Sequence, residues 1–362
     1  MSENKTKECS GVELISLLCS LFGPSGCEYN VADKICEQID ASCEYVYDRV
    51  GMGNIIVRVG ESGSGKPKLM ISAHMDEVGM MIKGIDDEGY LRFGTVGGID
   101  ESVLCGRNVT VGDETKRVKG VIASKAIHHQ TSKERNTATP VKDMYIDIGA
   151  KNAEDAEKYV SVGDFATFDS DFVLFGEDRR MMKAKALDDR VGCAVMIELI
   201  RKFANRWQEL PYEIYFCFTV REETGLSGAV SAANSIKPDC AIVLESTAIA
   251  DIHGVADNSR VAEIGHGGVI SIADRSTIYD REWIDICLGL AEKKGIDVQI
   301  KRYVSGGNDA GVIQRSGDGV RSLAISLPTR YLHSASCVAS LDDYESVLEL
   351  VSALIQTPIE KV

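Results

Sequence analysis

No run of apolar residues in this 362-residue chain approaches the roughly 20 needed to cross a bilayer. Positive charge is also short: 40 Lys and Arg stand against 55 Asp and Glu, for a net charge of -15. That balance excludes the concentrated basic face which a nucleic acid or an anionic membrane would require. The eleven cysteines are odd in number, form no CxxC pair and are scattered from Cys9 to Cys337. The opening "MSENKTKECSG" is polar and leads into an amphipathic segment rather than the apolar core of a signal peptide. The expectation is a cytoplasmic protein whose cysteines are reduced and mostly act as small core residues. Internal repeats and low-complexity stretches are missing as well.

What is present is ordinary globular composition, 44% apolar and 26% charged, in a chain longer than one hydrophobic core usually serves. "SGVELISLLCSLFGPSG" reads as a helix starting at Ser10, with Glu13 placed for a capping box and Gly23-Pro24 as the stop. A second helix follows around "NVADKICEQI", then strands at "NIIVRVG" and "KPKLMISA". From about residue 80 the texture changes. "MMIKGIDDEGYLRFGTVGGI" has the signature of a hairpin, and short strands with Gly turns run on to "VSVGDFATFDS" with little helical periodicity apart from "NAEDAEKYV".

From about residue 180 strands and helices alternate. "DDRVGCAVMIELIRKFANRW" is apolar over most of its circumference and is expected to be a buried helix. "YEIYFCFTV", "DCAIVLE" and "RSLAISLP" are the apolar strands of a sheet covered on both faces, and "SLDDYESVLELVSALIQ" closes the chain as a helix. The fold class is α/β: a discontinuous α/β domain of residues 1–76 and 176–362, interrupted by a mostly β domain of residues 77–175.

The strand ends carry the chemistry. "LMISA" runs into His74 and Asp76, "YEIYFCFTV" into Glu222 and Glu223, "CAIVL" into Glu245, and "LAISLPTRYL" into His333, while Asp188 and Asp189 precede the buried helix. In open α/β sheets, sites form beyond the carboxyl ends of the strands. Each piece alone has an ordinary explanation: a polar turn for HxD, a solvated surface for the Glu pair, helix N-terminal charge for Asp188-Asp189, a satisfied core imidazole for His333. Their joint arrival at one rim argues for a site. Two histidines and three carboxylates suit a pair of Zn²⁺, Co²⁺ or Mn²⁺ ions sharing a carboxylate. Such ions, ~3.5–4 Å apart, hold and acidify a water, and one of Glu222 and Glu223 could ligate while the other takes the proton.

The runs "GPSGCE", "SAHMDEVGMMI", "DMYIDIGAKNAEDAEKYVSVGD", "AKALDDRVGCAV", "REETGLSGA", "GGNDAG" and "RYLHSASCVASLDDYES" lie in one order from about residue 12 to about residue 356. In them the chain resembles the M42 family of metalloaminopeptidases, which includes the glutamyl and the tetrahedral aminopeptidases. The resemblance implies a zinc-exopeptidase-like mixed sheet covered by helices on both faces, with the β insert used for dimerisation. It further implies that Asp188 bridges two ions, that His74 and Glu245 complete one shell and that Glu223 and His333 complete the other. Glu222 would be the general base and Asp76 would orient His74 through its second ring nitrogen. Peptides, cleaved one residue at a time from the amino end, would be the substrates. Dimers would assemble into a tetrahedral dodecamer.

Three positions depart from the family: Glu245 where Asp is usual, Arg221 where Gln is common and Asn308 where Thr is common. Among the remaining histidines, His266 in "IGHGGVIS" is flanked by glycines that could let it approach a substrate, whereas His128, His129 and His253 keep an ordinary structural reading. Two other readings stay open at this point. A glycosidase also uses two carboxylates, but it needs them facing each other across the sugar ~5–9.5 Å apart, and it leaves the other ligands unexplained. A scaffold that kept the fold and lost the chemistry would have no reason to keep the whole ligand set.

Overall fold

A computed structural model describes residues 9–39, 43–47, 51–61, 63–113 and 115–358. The first eight residues, on which part of the expectation about targeting rests, lie outside them. The strands in chain order are β1 (Glu44–Tyr47), β2 (Ile55–Val59), β3 (Lys68–His74), β4 (Gly79–Ile85), β5 (Leu91–Val96), β6 (Asn108–Gly112), β7 (Arg117–Ala123), β8 (Tyr145–Asp147) and β9 (Phe165–Phe168). They continue with β10 (Val173–Phe175), β11 (Met181–Ala184), β12 (Glu213–Thr219), β13 (Cys240–Ala248), β14 (Gly268–Ile270), β15 (Val298–Ile300), β16 (Arg321–Thr329) and β17 (Cys337–Ser340). The helices are α1 (Val12–Ser20), α2 (Tyr29–Gln38), the short α3 (Ser132–Arg135) and α4 (Ala153–Ala156), α5 (Leu187–Phe203), α6 (Ser227–Ile236), α7 (Arg281–Lys294), the short α8 (Ala310–Ile313) and α9 (Leu341–Ile355).

Eight strands form one mixed sheet in the order β1-β2-β12-β3-β13-β16-β14-β15. Its centre, β12-β3-β13-β16, is parallel, and β2 and β14 join it antiparallel. In β3 every residue from Leu69 to His74 is buried. Successive strand residues point to opposite faces, so this pattern requires cover on both sides. On the sheet α5 packs against β3 and β13, and α9 against β14 and β16. The fold is the expected α/β one.

Strands β4 to β9 close separately into a barrel, in the order β4-β5-β8-β7-β6-β9. Its core of Met80, Ile82, Phe93, Val109, Val111, Ile146 and Phe168 forms a cluster of its own, apart from the core of the large sheet. The β4–β5 hairpin turns at Gly89, where φ is +89° and only glycine sits without strain. A third, three-stranded sheet runs β10-β11-β17. Strand β10, inside the expected insert, therefore hydrogen-bonds to β11 of the expected catalytic part.

Two local expectations change. The first helix has no capping box: its N-cap is Gly11, whose N–H donates to Glu198 Oε1 (2.6 Å). A tertiary carboxylate thus replaces the local cap. Helices α6 and α7 and the short strands β1, β14, β15 and β17 were not anticipated. All eleven cysteines are free, and seven are buried. Among the described residues no helix is long and apolar enough to cross a membrane.

Candidate active site

Parallel pairing fixes the rim. Register places Thr219 of β12 beside His74 of β3, and Val243 of β13 beside Ser72. Glu245 follows two residues further along β13, level with the same end. It lies inside that strand, paired with Ser326 of β16, rather than at its terminus. His333 sits in the turn after β16, and Asp188 in a non-helical opening of α5 (φ -84°, ψ 107°) that aims it away from the helix axis. Five of the seven non-glycine residues at positive φ among the described residues, Ala186, Arg221, Leu226, Tyr331 and His333, border this cluster. Such conformations cost energy and persist where the surroundings impose them.

The side chains converge on Asp188. Its Oδ1 lies 3.4 Å from His74 Nε2, which is itself 3.3 Å from Glu245 Oε1. Its Oδ2 lies 3.2 Å from His333 Nε2, which is 3.2 Å from Glu223 Oε1. Each oxygen of one carboxylate thus faces one imidazole and one further carboxylate. Both rings are turned the same way. His74 Nδ1 is 3.1 Å from the Asp76 carbonyl and His333 Nδ1 is 2.7 Å from the Gly98 carbonyl, so a proton on each Nδ1 leaves each Nε2 lone pair for the cluster. Gly98 belongs to the loop after β5, so the barrel orients one ligand of the sheet.

Asp76 meets the second ring nitrogen of His74 chiefly through its backbone. Its carbonyl, not its carboxylate, is the nearer partner of His74; Oδ1 stands 3.5 Å from Nδ1. The carboxylate oxygens accept the backbone N–H groups of Glu222 (3.1 Å) and Glu223 (3.2 Å). Asp76 therefore positions the Glu pair as well as the imidazole.

The donor set suits cations. Asp188 Oδ1, Glu223 Oε1 and Glu245 Oε2 are buried with no hydrogen-bond partner, and a buried polar atom left so is costly unless something binds it. Burial works against protonated imidazoles, yet Glu245, Asp188 and Asp76 hold His74 well above its ordinary pKa. His333 is likewise pushed up to about 11 against burial by Asp188 and Glu223. A field that favours a proton at both Nε2 atoms favours a divalent cation there too. Burial first, then the neighbouring charge of Asp188, raises Glu245, and burial with Asp309, Glu223 and Asp188 raises Glu222. The Glu222 carboxylate receives no hydrogen bond among the described residues and lines a cavity of about 460 Å³ over the cluster.

Sequence reasoning missed a second layer. Glu77 Oε1 accepts from Lys185 Nζ (2.6 Å), and its Oε2 accepts from Thr167 of the barrel (2.8 Å). Arg190, wholly buried, donates to the carbonyls of Met75 (2.6 Å) and Leu18 (2.7 Å). These residues lock the turn carrying His74 to the turn carrying Asp188. Their only signal in the sequence was unpaired charge inside apolar runs. Asp309, whose Oδ2 accepts from Thr219 Oγ1 (2.7 Å), is a further buried acid near the rim. Of the three departures, Asn308 lines the cavity while Arg221 does not. His266 is exposed and also absent from the cavity wall. The glycosidase reading fails on geometry, because Glu222 and Glu223 are held side by side on one carboxylate.

Comparison with known proteins supplies independent findings. The family model described as M42 glutamyl aminopeptidase matches residues 53–350. A putative aminopeptidase from Acetivibrio thermocellus is 37% identical over 94% of this chain and 96% of its own. The TET aminopeptidase of a marine-sediment Thaumarchaeota archaeon superposes with a TM-score of 0.89 at 34% identity, covering 97% of each chain. A TET1 peptidase of Pyrococcus horikoshii, which can assemble into a tetrahedron or a large octahedral shell, is 36% identical with a TM-score of 0.85 over 96% of this chain and 99% of that one.

Proposed function

The chain belongs to the M42 glutamyl aminopeptidase family, and from that premise we propose which of its residues carry the hydrolysis. It is an exopeptidase that removes residues from the amino end of peptides. The observation that carries the assignment is Asp188, each of whose oxygens faces a different imidazole–carboxylate pair. In this reading two divalent ions would share Asp188, with His74 and Glu245 holding one and Glu223 and His333 the other. Nitrogen and oxygen donors without thiolate favour Zn²⁺ or Co²⁺, with Mn²⁺ also acceptable. When bound, such ions acidify a water and polarise the carbonyl of the first peptide bond.

Glu222 takes the proton of the attacking water and returns it to the leaving amine. Burial raises its pKa above the ordinary carboxylate value, the direction that helps a carboxylate hold the proton it has taken until it passes it on. Asp76, through the two N–H groups it binds, keeps Glu222 turned to the cavity and Glu223 to the ligands. Glu222→Gln tests the assignment: metal content by mass spectrometry should stay at the wild-type level, with turnover of aminoacyl-p-nitroanilides falling about 10²–10⁴-fold. Wild-type turnover in that variant would remove Glu222 from the role.

For organisation we propose residues 1–76 with 176–362 as the catalytic domain and 77–175 as an insert that dimerises. Assembly follows the tetrahedron of the Pyrococcus horikoshii relative, and the location is cytoplasmic, in keeping with eleven free thiols. A light-scattering mass staying near 39.3 kDa at every concentration would overturn the assembly.

A further inference from the structure

The turn that carries the Glu pair is held by side chains from far along the chain. Asn54 Oδ1 accepts the Val220 N–H (3.1 Å), Glu28 Oε1 accepts that of Arg221 (3.2 Å), and the two oxygens of Asp76 accept those of Glu222 and Glu223. Four successive backbone donors thus end on three tertiary side chains. Arg221 is the strained member, at φ +56°, a conformation that a non-glycine residue keeps where its surroundings impose it. Glu28 is the side chain bound to that residue's own N–H, one step before Glu222.

Glu28 stands at the N-cap of α2, yet its carboxylate makes no capping hydrogen bond to that helix. Its Oε1 accepts instead from Gly26 (2.8 Å) and from Arg221. The loop around it is fixed to both turns of the site. Ser25 donates its N–H to the Glu77 carbonyl (3.1 Å), the Gly23 carbonyl accepts that of Glu77 (3.1 Å), and Ser25 Oγ lies 2.8 Å from Thr224 Oγ1. Glu28 is buried and does not border the cavity, so any effect it has on the reaction runs through the turn. Burial, then the charge of Asp76, pushes its pKa up to about 7, so the fold carries this acid at a cost. Such costs are kept where a site needs them.

Resting on the aminopeptidase reading, with Glu222 as its base, we propose that Glu28 is a positioning residue: its Oε1, by holding the Arg221 N–H, fixes the backbone from which Glu222 reaches into the cavity. What matters is an acceptor oxygen at the right reach, and an amide oxygen there would serve as well.

The test compares Glu28→Leu, Glu28→Asp and Glu28→Gln with wild type on the aminoacyl-p-nitroanilide that the wild type cleaves fastest, in metal-loaded protein of measured metal content. Glu28→Leu removes the acceptor and should lower kcat about 10- to 100-fold, the scale of a small misplacement of a reacting group, with KM and metal content within about twofold of wild type. Glu28→Asp keeps the charge but withdraws the oxygen by one methylene, and kcat should fall about 3- to 30-fold. Glu28→Gln keeps an acceptor at the same reach and should hold kcat within about threefold. In a Glu222→Gln background, Glu28→Leu should cost less than about threefold more, because both losses run through one group. Thermal unfolding checks that each variant is folded; if Glu28→Leu is not, Glu28→Asp against Glu28→Gln decides. Wild-type kcat in the Leu and Asp variants overturns the proposal. So does an equal loss in Glu28→Gln, a loss seen in metal content or KM instead of kcat, or a full further loss in the Glu222→Gln background. No cleavage of any aminoacyl-p-nitroanilide or short peptide by the wild type, or full turnover in Glu222→Gln alone, would instead overturn the reading on which the role of Glu28 stands.

Discussion

Two groups of buried charge grow from the same two turns of this chain, and they are built in opposite ways. Around Glu77 the charged groups find hydrogen-bond partners. Lys185 and Arg190 face one carboxylate, Thr167 donates to its other oxygen, and the surplus donors of Lys185 and Arg190 end on the carbonyls of Leu21, Leu18 and Met75. Around Asp188 they do not. Three carboxylates each keep an oxygen without a hydrogen-bond donor, and the positive charge that faces Asp188 directly, among the described residues, is a proton on His74 or His333. A satisfied buried ion pair is architecture, whereas an unsatisfied one is a request for an ion. The difference separates residues that hold the turns in place from residues that do chemistry on them, although both kinds are Asp, Glu, Lys and Arg in equally buried positions.

The sharpest way to break that distinction is to remove its centre. Asp188→Ala should lose the ions of both shells together, so metal content falls to background and turnover with it. Retention of a full complement of two ions would show that Asp188 does not bridge. Next in size is the contrast between Glu77 and Glu245 in metal-free protein, followed by urea unfolding at neutral pH. Glu77→Gln leaves Lys185 and Arg190 facing no negative charge and should cost about 3–5 kcal/mol, as breaking a buried pair does. Glu245→Gln should do the reverse. Burial and the charge of Asp188 raise the folded pKa of Glu245 above its unfolded value, so its contribution to stability is present at low pH and lost as pH rises through the folded pKa. Gln mimics the neutral form and should stabilise the metal-free protein by roughly 1 kcal/mol while weakening metal binding. If both variants destabilised it equally, the two clusters would be of one kind.

The contrast also explains what was legible before the structure. His74, Glu222, Glu223 and His333 stood out because each closes an apolar run, a pattern that register then turns into proximity. Glu77 closes the same run as His74 and was passed over, since its partners lie 90 to 113 residues away and no local spacing announces them. Asp76 was assigned to His74 alone, and its hold on the Glu pair was not read. Two residues apart on an extended strand means side by side, but β3 ends at His74, and the loop turns the Asp76 carboxylate to the backbone of Glu222 and Glu223. Helix α7 had its signals in view: Asp280 caps it by accepting from the Trp283 N–H (3.0 Å), and Gly295 ends it at φ +68°. The helix went unread although Trp283, Ile284, Cys287 and Ala291 recur on one buried face.

Asp343 falls between the two extremes and gives the smallest test. It is buried at the start of α9, and its two oxygens accept the N–H groups of Gly267 (2.7 Å) and Gly265 (2.8 Å), dipoles rather than charges. Burial outweighs those two hydrogen bonds and pushes its pKa up to about 6. A folded pKa above the unfolded value means that folding takes up a proton between about pH 4 and pH 6, so stability declines as pH rises through that window and is level above it. The slope is at most about 1.4 kcal/mol per pH unit for one proton. Asp343→Asn carries no such proton. Its amide also sets N–H against a glycine N–H, so a constant offset is expected, and only the pH dependence of the difference from wild type is informative. Urea unfolding of metal-free protein at pH 4, 5, 6 and 7 should show the wild type losing its advantage step by step up to pH 6. A difference that stays flat across those points would mean that two backbone N–H groups suffice for a buried carboxylate, and that dipoles can do for Asp343 what Asp188 requires cations to do.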